Sequence, residues 1–249
     1  CGLPGRMAHA VAEAAHESAD CEVLGHSLTG PGMDSSMRVG GREVLLYAPN
    51  RRAAFLEALR KEGPAIVIDY THPDSVVDNA RFYVENHLPF VMGTTGGDRG
   101  VLAKLVAEKN HPAVIAPNMA LPIVAITAML EWGSKNFPGV FRSYQLKVKE
   151  SHQIGKADTS GTARALIALF QTLGAEYQEE NLELCRDPEA QRAEWGIPEE
   201  HLAGHAYHTY SLDNAAYGAN FRLDHNILGR RIYAEGTLEA VRTLEHEAQ

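Results

Sequence analysis

Cysteine is scarce and scattered in this chain. Cys1, Cys21 and Cys185 form no Cys-x-x-Cys pair and no even framework, which excludes a disulfide-stapled scaffold and fits a reducing compartment. Long apolar runs are lacking too, and none approaches the roughly 20 residues that a bilayer-spanning helix needs. No signal-peptide pattern heads the chain, which begins at Cys1 rather than Met. Positive charge is in deficit, with 23 Lys and Arg against 32 Asp and Glu, a formal net charge of −9. That balance argues against a nucleic-acid-binding surface and is silent about fold. Internal repeats and low-complexity tracts are absent. The 249 residues, 45% of them hydrophobic, are enough for a full core divided between two lobes.

The first 120 residues alternate apolar runs of two kinds. Segments 22–28, 43–47, 65–69, 89–93 and 113–116 read as strands, and 7–16, 51–61, 75–86 and 101–109 as the helices between them. Strands alternating with helices predict a doubly wound parallel α/β sheet of the Rossmann type. The near-continuous run Ala65-Ile66-Val67-Ile68 suits a strand buried on both faces. Residues 118–132 read as a long apolar helix leaving this lobe, and 144–149 as a strand opening a second one. Acidic, Pro-containing 176–201 reads as a solvated helical excursion. Segments 205–212, 217–224 and 231–234 read as mainly antiparallel strands. A last helix, 236–247, carries an apolar face that must return to a core. The expected division is a dinucleotide-binding domain, 1–120 completed by 236–249, and an α+β domain, 121–235, for substrate binding and oligomerisation.

Gly2-x-x-Gly5-x-x-Ala8 is a variant glycine-rich turn ahead of a helix. Gly2 permits the tight turn, Gly5 leaves room for a pyrophosphate and Ala8 allows close helix–strand packing. Only Cys1 precedes this turn, so the strand that would position it is expected to be missing from the sequence. The second strand ends without the acidic residue that holds a ribose in NAD-binding folds. Arg6, nearby, offers a partner for a 2′-phosphate, so both NADPH and NADH stay open. The loops Asp69-Tyr70-Thr71-His72-Pro73 and Gly93-Thr94-Thr95-Gly96 follow predicted strands at their carboxyl ends, where ligands of such sheets bind.

The richest stretch is Glu150-Ser-His-Gln-Ile-Gly-Lys-Ala-Asp-Thr-Ser-Gly-Thr-Ala163, between a predicted strand and a helix over 163–173. A helix start presents unpaired N–H groups and partial positive charge, so a carboxylate or phosphate can dock there. Ser160 and Thr162 add hydroxyls, and Gly161 lets a ligand approach the backbone. His152 and Lys156 stand ready to deliver protons. The plainer reading is an ordinary Ser/Thr helix cap after a polar loop. His201, His205 and His208 invite a zinc site, but no carboxylate or thiolate accompanies them, and strand alternation puts His205 and His208 on opposite faces. No metal is expected.

Together these segments resemble the dihydrodipicolinate reductase (4-hydroxy-tetrahydrodipicolinate reductase) family. Its signature Glu-x-His-His-x-x-Lys-x-Asp-Ala-Pro-Ser-Gly-Thr-Ala is matched by Glu150, His152, Lys156, Asp158, Ser160, Gly161, Thr162 and Ala163. Gln153 replaces the second His, and Thr159 stands where Ala-Pro would. Both departures, with His205-Ala-Tyr-His-Thr-Tyr, look like the plant-type branch. Further matches are Gly5-Arg6-Met7, Tyr70-Thr71-x-Pro73, Gly93-Thr94-Thr95-Gly96, Ala116-Pro-Asn-Met119 and Tyr233-Ala-Glu-Gly236.

The resemblance implies reduction of a cyclic imine dicarboxylate by NADPH or NADH in lysine biosynthesis. It places the cofactor on Gly2, Gly5, Arg6, Met7, Tyr70, Thr71, Gly93, Thr94 and Thr95, with Asn118 and Met119 near the nicotinamide. It places a substrate carboxylate on Ser160, Gly161 and Thr162 with Gln153 beside it, and makes His152 and Lys156 the proton-delivering pair. A homodimer or homotetramer in a plastid stroma or a bacterial cytoplasm follows, with neither nucleic acid nor membrane as partner. A reductase of another cyclic imine, or a non-catalytic dinucleotide sensor, are the competing readings.

Overall fold

In the computed structural model, residues 1–33, 35–156 and 158–247 are described. Two compact units divide the chain: Cys1–Ala120 together with the residues from Arg231 onward, and Leu121–Arg230.

The first unit opens with α1 (Arg6–Glu17), followed by β1 (His26–Leu28), β2 (Ser35–Val39), β3 (Arg42–Tyr47), α2 (Arg52–Glu62), β4 (Val67–Asp69), α3 (Val76–Glu85), β5 (Phe90–Met92), α4 (Arg99–Lys109) and β6 (Ala113–Ile115). Strands β4, β5 and β6 pair in parallel in that order, as do β1 and β3. The expected strands and helices are present: β4, β5 and β6 are trimmed at one or both ends, β3 gains Arg42, and 22–28 retains only its last three residues. β2 is an addition, antiparallel to β3 across the Gly40-Gly41 turn. Its Ser-Ser-Met-Arg-Val sequence is mostly exposed and only Met37 and Val39 alternate with polar residues, too short a run for periodicity to reveal.

Cys1 and Gly2 lie between the two sheets. The Cys1 nitrogen donates to Ile68 O and Tyr70 N to Cys1 O, while Gly2 N donates to Leu28 O at 2.8 Å. Two residues thus make strand-like bonds on both sides and hold the glycine turn. Beneath, Phe55, Tyr83, Phe90, Met92 and Leu102 form one core, each aromatic contributing on the order of 2–3 kcal/mol by leaving water.

The second unit contains α5 (Leu121–Asn136), β7 (Gln145–His152), α6 (Gly161–Thr172), β8 (Leu182–Cys185), α7 (Pro188–Ala193), β9 (His205–Asn214) and β10 (Ala219–Leu228). Its sheet runs β10-β9-β7-β8, antiparallel except for the parallel β7–β8 pair. Leu166, Ile167 and Phe170 of α6 pack on Leu146, Val148, Tyr210 and Leu212 of one face.

Two expectations need correcting here. Residues 176–201 are not a solvated helical excursion: they supply β8, and Gln191 within them is 1% exposed. Residues 231–234 are not a strand but the first turn of α8 (Arg231–Glu247). Their β-branched and aromatic look is overridden by helical packing, since Ala234 and Leu238 bury together against Val11 and Ala14 of α1.

Candidate active site

β7 continues three residues beyond its expected end, to His152. That extension fixes Glu150, Ser151 and His152 as strand residues whose side chains alternate between the two faces. Register pairs Glu150 with His208 and His152 with Ala206, so Glu150, His152 and His208 share the face covered by α6.

All three are buried. His152 Nδ1 lies 3.2 Å from His205 O; a carbonyl only accepts, so this nitrogen carries the proton and Nε2 holds a lone pair. His208 Nε2 sits 3.3 Å from that Nε2, 2.9 Å from Ser160 Oγ and 3.5 Å from Glu150 Oε2. Facing three acceptors, His208 Nε2 is the protonated nitrogen. Burial, then the neighbouring His208, lowers His152 to about 4. Burial pushes Glu150 upward, but hydrogen bonds from His208, Arg186 and the Ser160 N–H outweigh it and hold the carboxyl at about 2. At neutral pH the pair is therefore a neutral imidazole beside a carboxylate.

Ser160 caps α6, its Oγ accepting from Ala163 N at 3.0 Å. Its N–H donates to Glu150 Oε2 at 3.1 Å. Ser160 is thus committed to internal bonds, whereas a Cβ added at Gly161 would meet nothing within 4 Å. No acidic residue occupies the first turn of α6, and the Glu150 carboxylate faces the N–H of its N-cap, so part of the positive helix end is answered from within the protein. Lys156 is half-buried and pairs with Asp158 at 2.7 Å, and that pairing draws the Asp158 carboxyl below its ordinary value. Gln153 is half-buried at the turn after β7.

Arg186 was not anticipated. Its guanidinium meets the Glu150 carboxylate and the carbonyls of Glu150, Lys156, Cys185 and Asp158. Nothing in the sequence marks it, because an arginine in an acidic stretch looks solvated.

The zinc question resolves by position. His205 receives a hydrogen bond from Ser151 and donates to His201 O, while His208 faces Glu150. The expectation that no carboxylate accompanies these histidines is therefore wrong for His208. Ligand atoms of Glu150, His152 and His208 lie within 4.8 Å of one another, but Arg186 already supplies the positive charge at that carboxylate.

The proposed cofactor residues gather in the other unit. Gly2 has φ +106, and a Cβ there would stand 2.2 Å from Tyr70 O, so only glycine permits this approach. Gly5 is the N-cap of α1, with no side-chain cap and no acid in the first turn, which suits a pyrophosphate. Arg6 is exposed and Met7 half-buried beside that turn. Thr71 and Thr94 converge on buried Asp69, which Asn79 and Tyr83 also contact. The Thr94 hydroxyl is thereby turned inward, leaving Thr95 exposed at the strand end. Tyr70 donates to or accepts from Thr237 at 2.6 Å. Asn118 Oδ1 accepts from Ala120 N, and Met119 is buried against Val91 and Leu244. This arrangement fits a dinucleotide.

Residues 1–119 match the family described as dihydrodipicolinate reductase, N-terminus, and residues 123–249 the one described as dihydrodipicolinate reductase, C-terminus. The chain belongs to the dihydrodipicolinate reductase family. A chloroplastic protein of Oryza sativa subsp. japonica, named probable 4-hydroxy-tetrahydrodipicolinate reductase 2, is 43% identical across 100% of this chain and 77% of its own length. The chloroplastic 4-hydroxy-tetrahydrodipicolinate reductase 1 of Arabidopsis thaliana is 44% identical across 96% and 70%. The fold matches that of a dipicolinate-bound dihydrodipicolinate reductase from Paenisporosarcina sp. TG-14, with TM-score 0.65, 17% identity and coverage of 97% and 91%.

Proposed function

We propose that this reductase converts 4-hydroxy-tetrahydrodipicolinate, by way of dihydrodipicolinate, to tetrahydrodipicolinate in lysine biosynthesis. NADPH or NADH, when bound, supplies the hydride to the ring. Family membership along the whole chain carries the reaction class, and the His152–Lys156–α6 arrangement carries the chemistry.

One substrate carboxylate docks at the start of α6. Because Ser160 is committed to Glu150, Ala163 and His208, that contact falls on Gly161 and Thr162. Lys156 donates the proton, because neutral His152 has its only N–H on a backbone carbonyl and presents a lone pair at Nε2. With its Nε2 lone pair turned to the His208 N–H, His152 supports the site from within and gives up no proton. Gln153 hydrogen-bonds the substrate without adding charge.

The chloroplastic location named for the plant relatives supports a plastid enzyme here. Among the described residues, no helix is long and apolar enough to cross a membrane. Association as a homodimer or homotetramer would cover the exposed edge of β10.

The decisive experiment is single-turnover oxidation of NADPH and NADH with enzymatically generated 4-hydroxy-tetrahydrodipicolinate, for the intact protein and Lys156→Ala. Rapid oxidation that collapses in the variant supports both the reaction and the role of Lys156. Cofactor binding without oxidation would point to another imine or to a sensor.

A further inference from the structure

We propose that Arg186 is a positioning residue that clamps segment 153–160 in the geometry Lys156 needs for proton delivery. The inference rests on the proposed role of Lys156.

The clamp is built from one guanidinium. Nε donates to Lys156 O at 2.6 Å, Nη1 to Glu150 O at 3.3 Å and Cys185 O at 3.0 Å, and Nη2 to Asp158 O at 3.3 Å and to the Glu150 carboxylate. The carbonyl partners lie on the end of β7, the end of β8 and both sides of the loop. Among the described residues of the loop, Lys156 N donates to Gln153 O at 2.9 Å, Lys156 pairs with Asp158, and Ile154 is 72% exposed. Gln191 adds a bond from the same 182–193 region to His152 O at 2.7 Å. Only arginine offers a rigid fork with five N–H donors, so lysine would keep the charge and lose the geometry.

The clamp also reaches the substrate end. Glu150, which has no exposed surface, joins Arg186 to the Ser160 N–H and to His208. The groups facing this carboxylate include Arg186 beyond β8, His208 and Tyr210 on β9, His152 on β7 and the Ser160 N–H at the start of α6. Removing Arg186 leaves Glu150 buried with less support, so protonation of Glu150 should then impair turnover on the acid side.

The test uses the full chain with Arg186→Ala and Arg186→Lys, read by amide hydrogen exchange and by turnover. In Arg186→Ala, exchange within 153–160 should quicken while 205–214 stays protected. Turnover should fall about 10²-fold, the loss expected for misplacing a reacting group by about 1 Å, with KM for NADPH held within about twofold. A new acid limb should appear in the pH profile, and added guanidinium should restore at least tenfold. Lys156→Ala combined with Arg186→Ala should be no slower than Lys156→Ala alone. Arg186→Lys should show faster exchange and slowed turnover without the acid limb, and it decides the matter if Arg186→Ala does not fold. Unchanged exchange and turnover in Arg186→Lys, or losses that add to those of Lys156→Ala, overturn the proposal. Absence of NADPH oxidation by the unaltered protein would defeat the reaction proposed above, while the exchange result still decides whether Arg186 clamps the loop.

Discussion

The Nε2 atoms of His152 and His208 lie 3.3 Å apart, with the rings 75° from coplanar. Only one proton fits between them, and His208 holds it. Protonating His152 would set two N–H groups face to face, which adds to the burial that lowers its pKa to about 4. An unfolded chain has no such conflict and takes up this proton near 6.5. Stability should therefore be lost as pH falls from about 6.5 toward 4, and Glu150 extends the loss from about 4.5 toward 2. His152→Gln should flatten the upper part of that slope in urea unfolding measured across pH. An equally steep slope in the variant would falsify the neutral assignment.

Turnover should separate the two proton-donor candidates. Lys156→Ala should cost on the order of 10²–10⁴ in turnover, as loss of a general acid does. His152→Asn should cost about tenfold, the scale of one hydrogen bond, and leave the pH profile unchanged in shape between pH 5.5 and 7.5. Were His152 the acid, its pKa of about 4 would make activity of the unaltered enzyme fall throughout pH 5.5–7.5, and the variant would lack that fall.

His225 stacks on His208 with ring centroids 4.4 Å apart, and both its nitrogens are buried with no partner among the described residues. Burial, then His208, lowers it to about 4. An apolar ring of similar shape removes two unsatisfied polar atoms, so His225→Phe should leave stability at pH 7 unchanged or raise it by about 1–2 kcal/mol. Thermal unfolding tests this, and a variant destabilised by more than about 1 kcal/mol would mean that the nitrogens are in fact bonded.

How much the sequence disclosed depends on where each signal lives. The alternating β/α elements of the first unit are written in local apolar runs, so β4, α3, β5 and α4 were legible. The Ser160–Thr162 helix start was legible as well, because capping is local. β2 was not, since only Met37 and Val39 of its mostly exposed sequence reach a core, while Ser36 pairs with Glu43 at the surface. Residues 231–234 misled because strand propensity is weak against the packing of α8 on α1. Glu150, His208 and Arg186 come from three distant segments joined only by sheet register, and no local pattern announces that meeting. The zinc argument failed for the same reason: the carboxylate beside His208 is 58 positions away in sequence but opposite in the sheet.

Gly93 gives the sharpest test of the first unit. It follows β5, and its N–H donates to Asp69 O at 3.0 Å. A Cβ there would lie 2.3 Å from the Tyr70 ring, well inside contact distance. Its φ is not in the left-handed region, so space rather than backbone conformation is what demands glycine. Gly93→Ala must push the Tyr70 ring aside and break the 2.6 Å bond from its hydroxyl to Thr237, which ties the 69–73 loop to α8. Overpacking and the lost hydrogen bond together should cost about 2–4 kcal/mol, measured by urea unfolding, and NADPH binding should weaken alongside. Tyr70→Phe removes only the bond and should cost about 1 kcal/mol. In Gly93→Ala with Tyr70→Ala, the clash has no partner, so adding the glycine substitution to Tyr70→Ala should cost under about 1 kcal/mol. If Gly93→Ala costs as much in that background as in the unaltered chain, the Tyr70 ring is not what excludes a side chain at position 93.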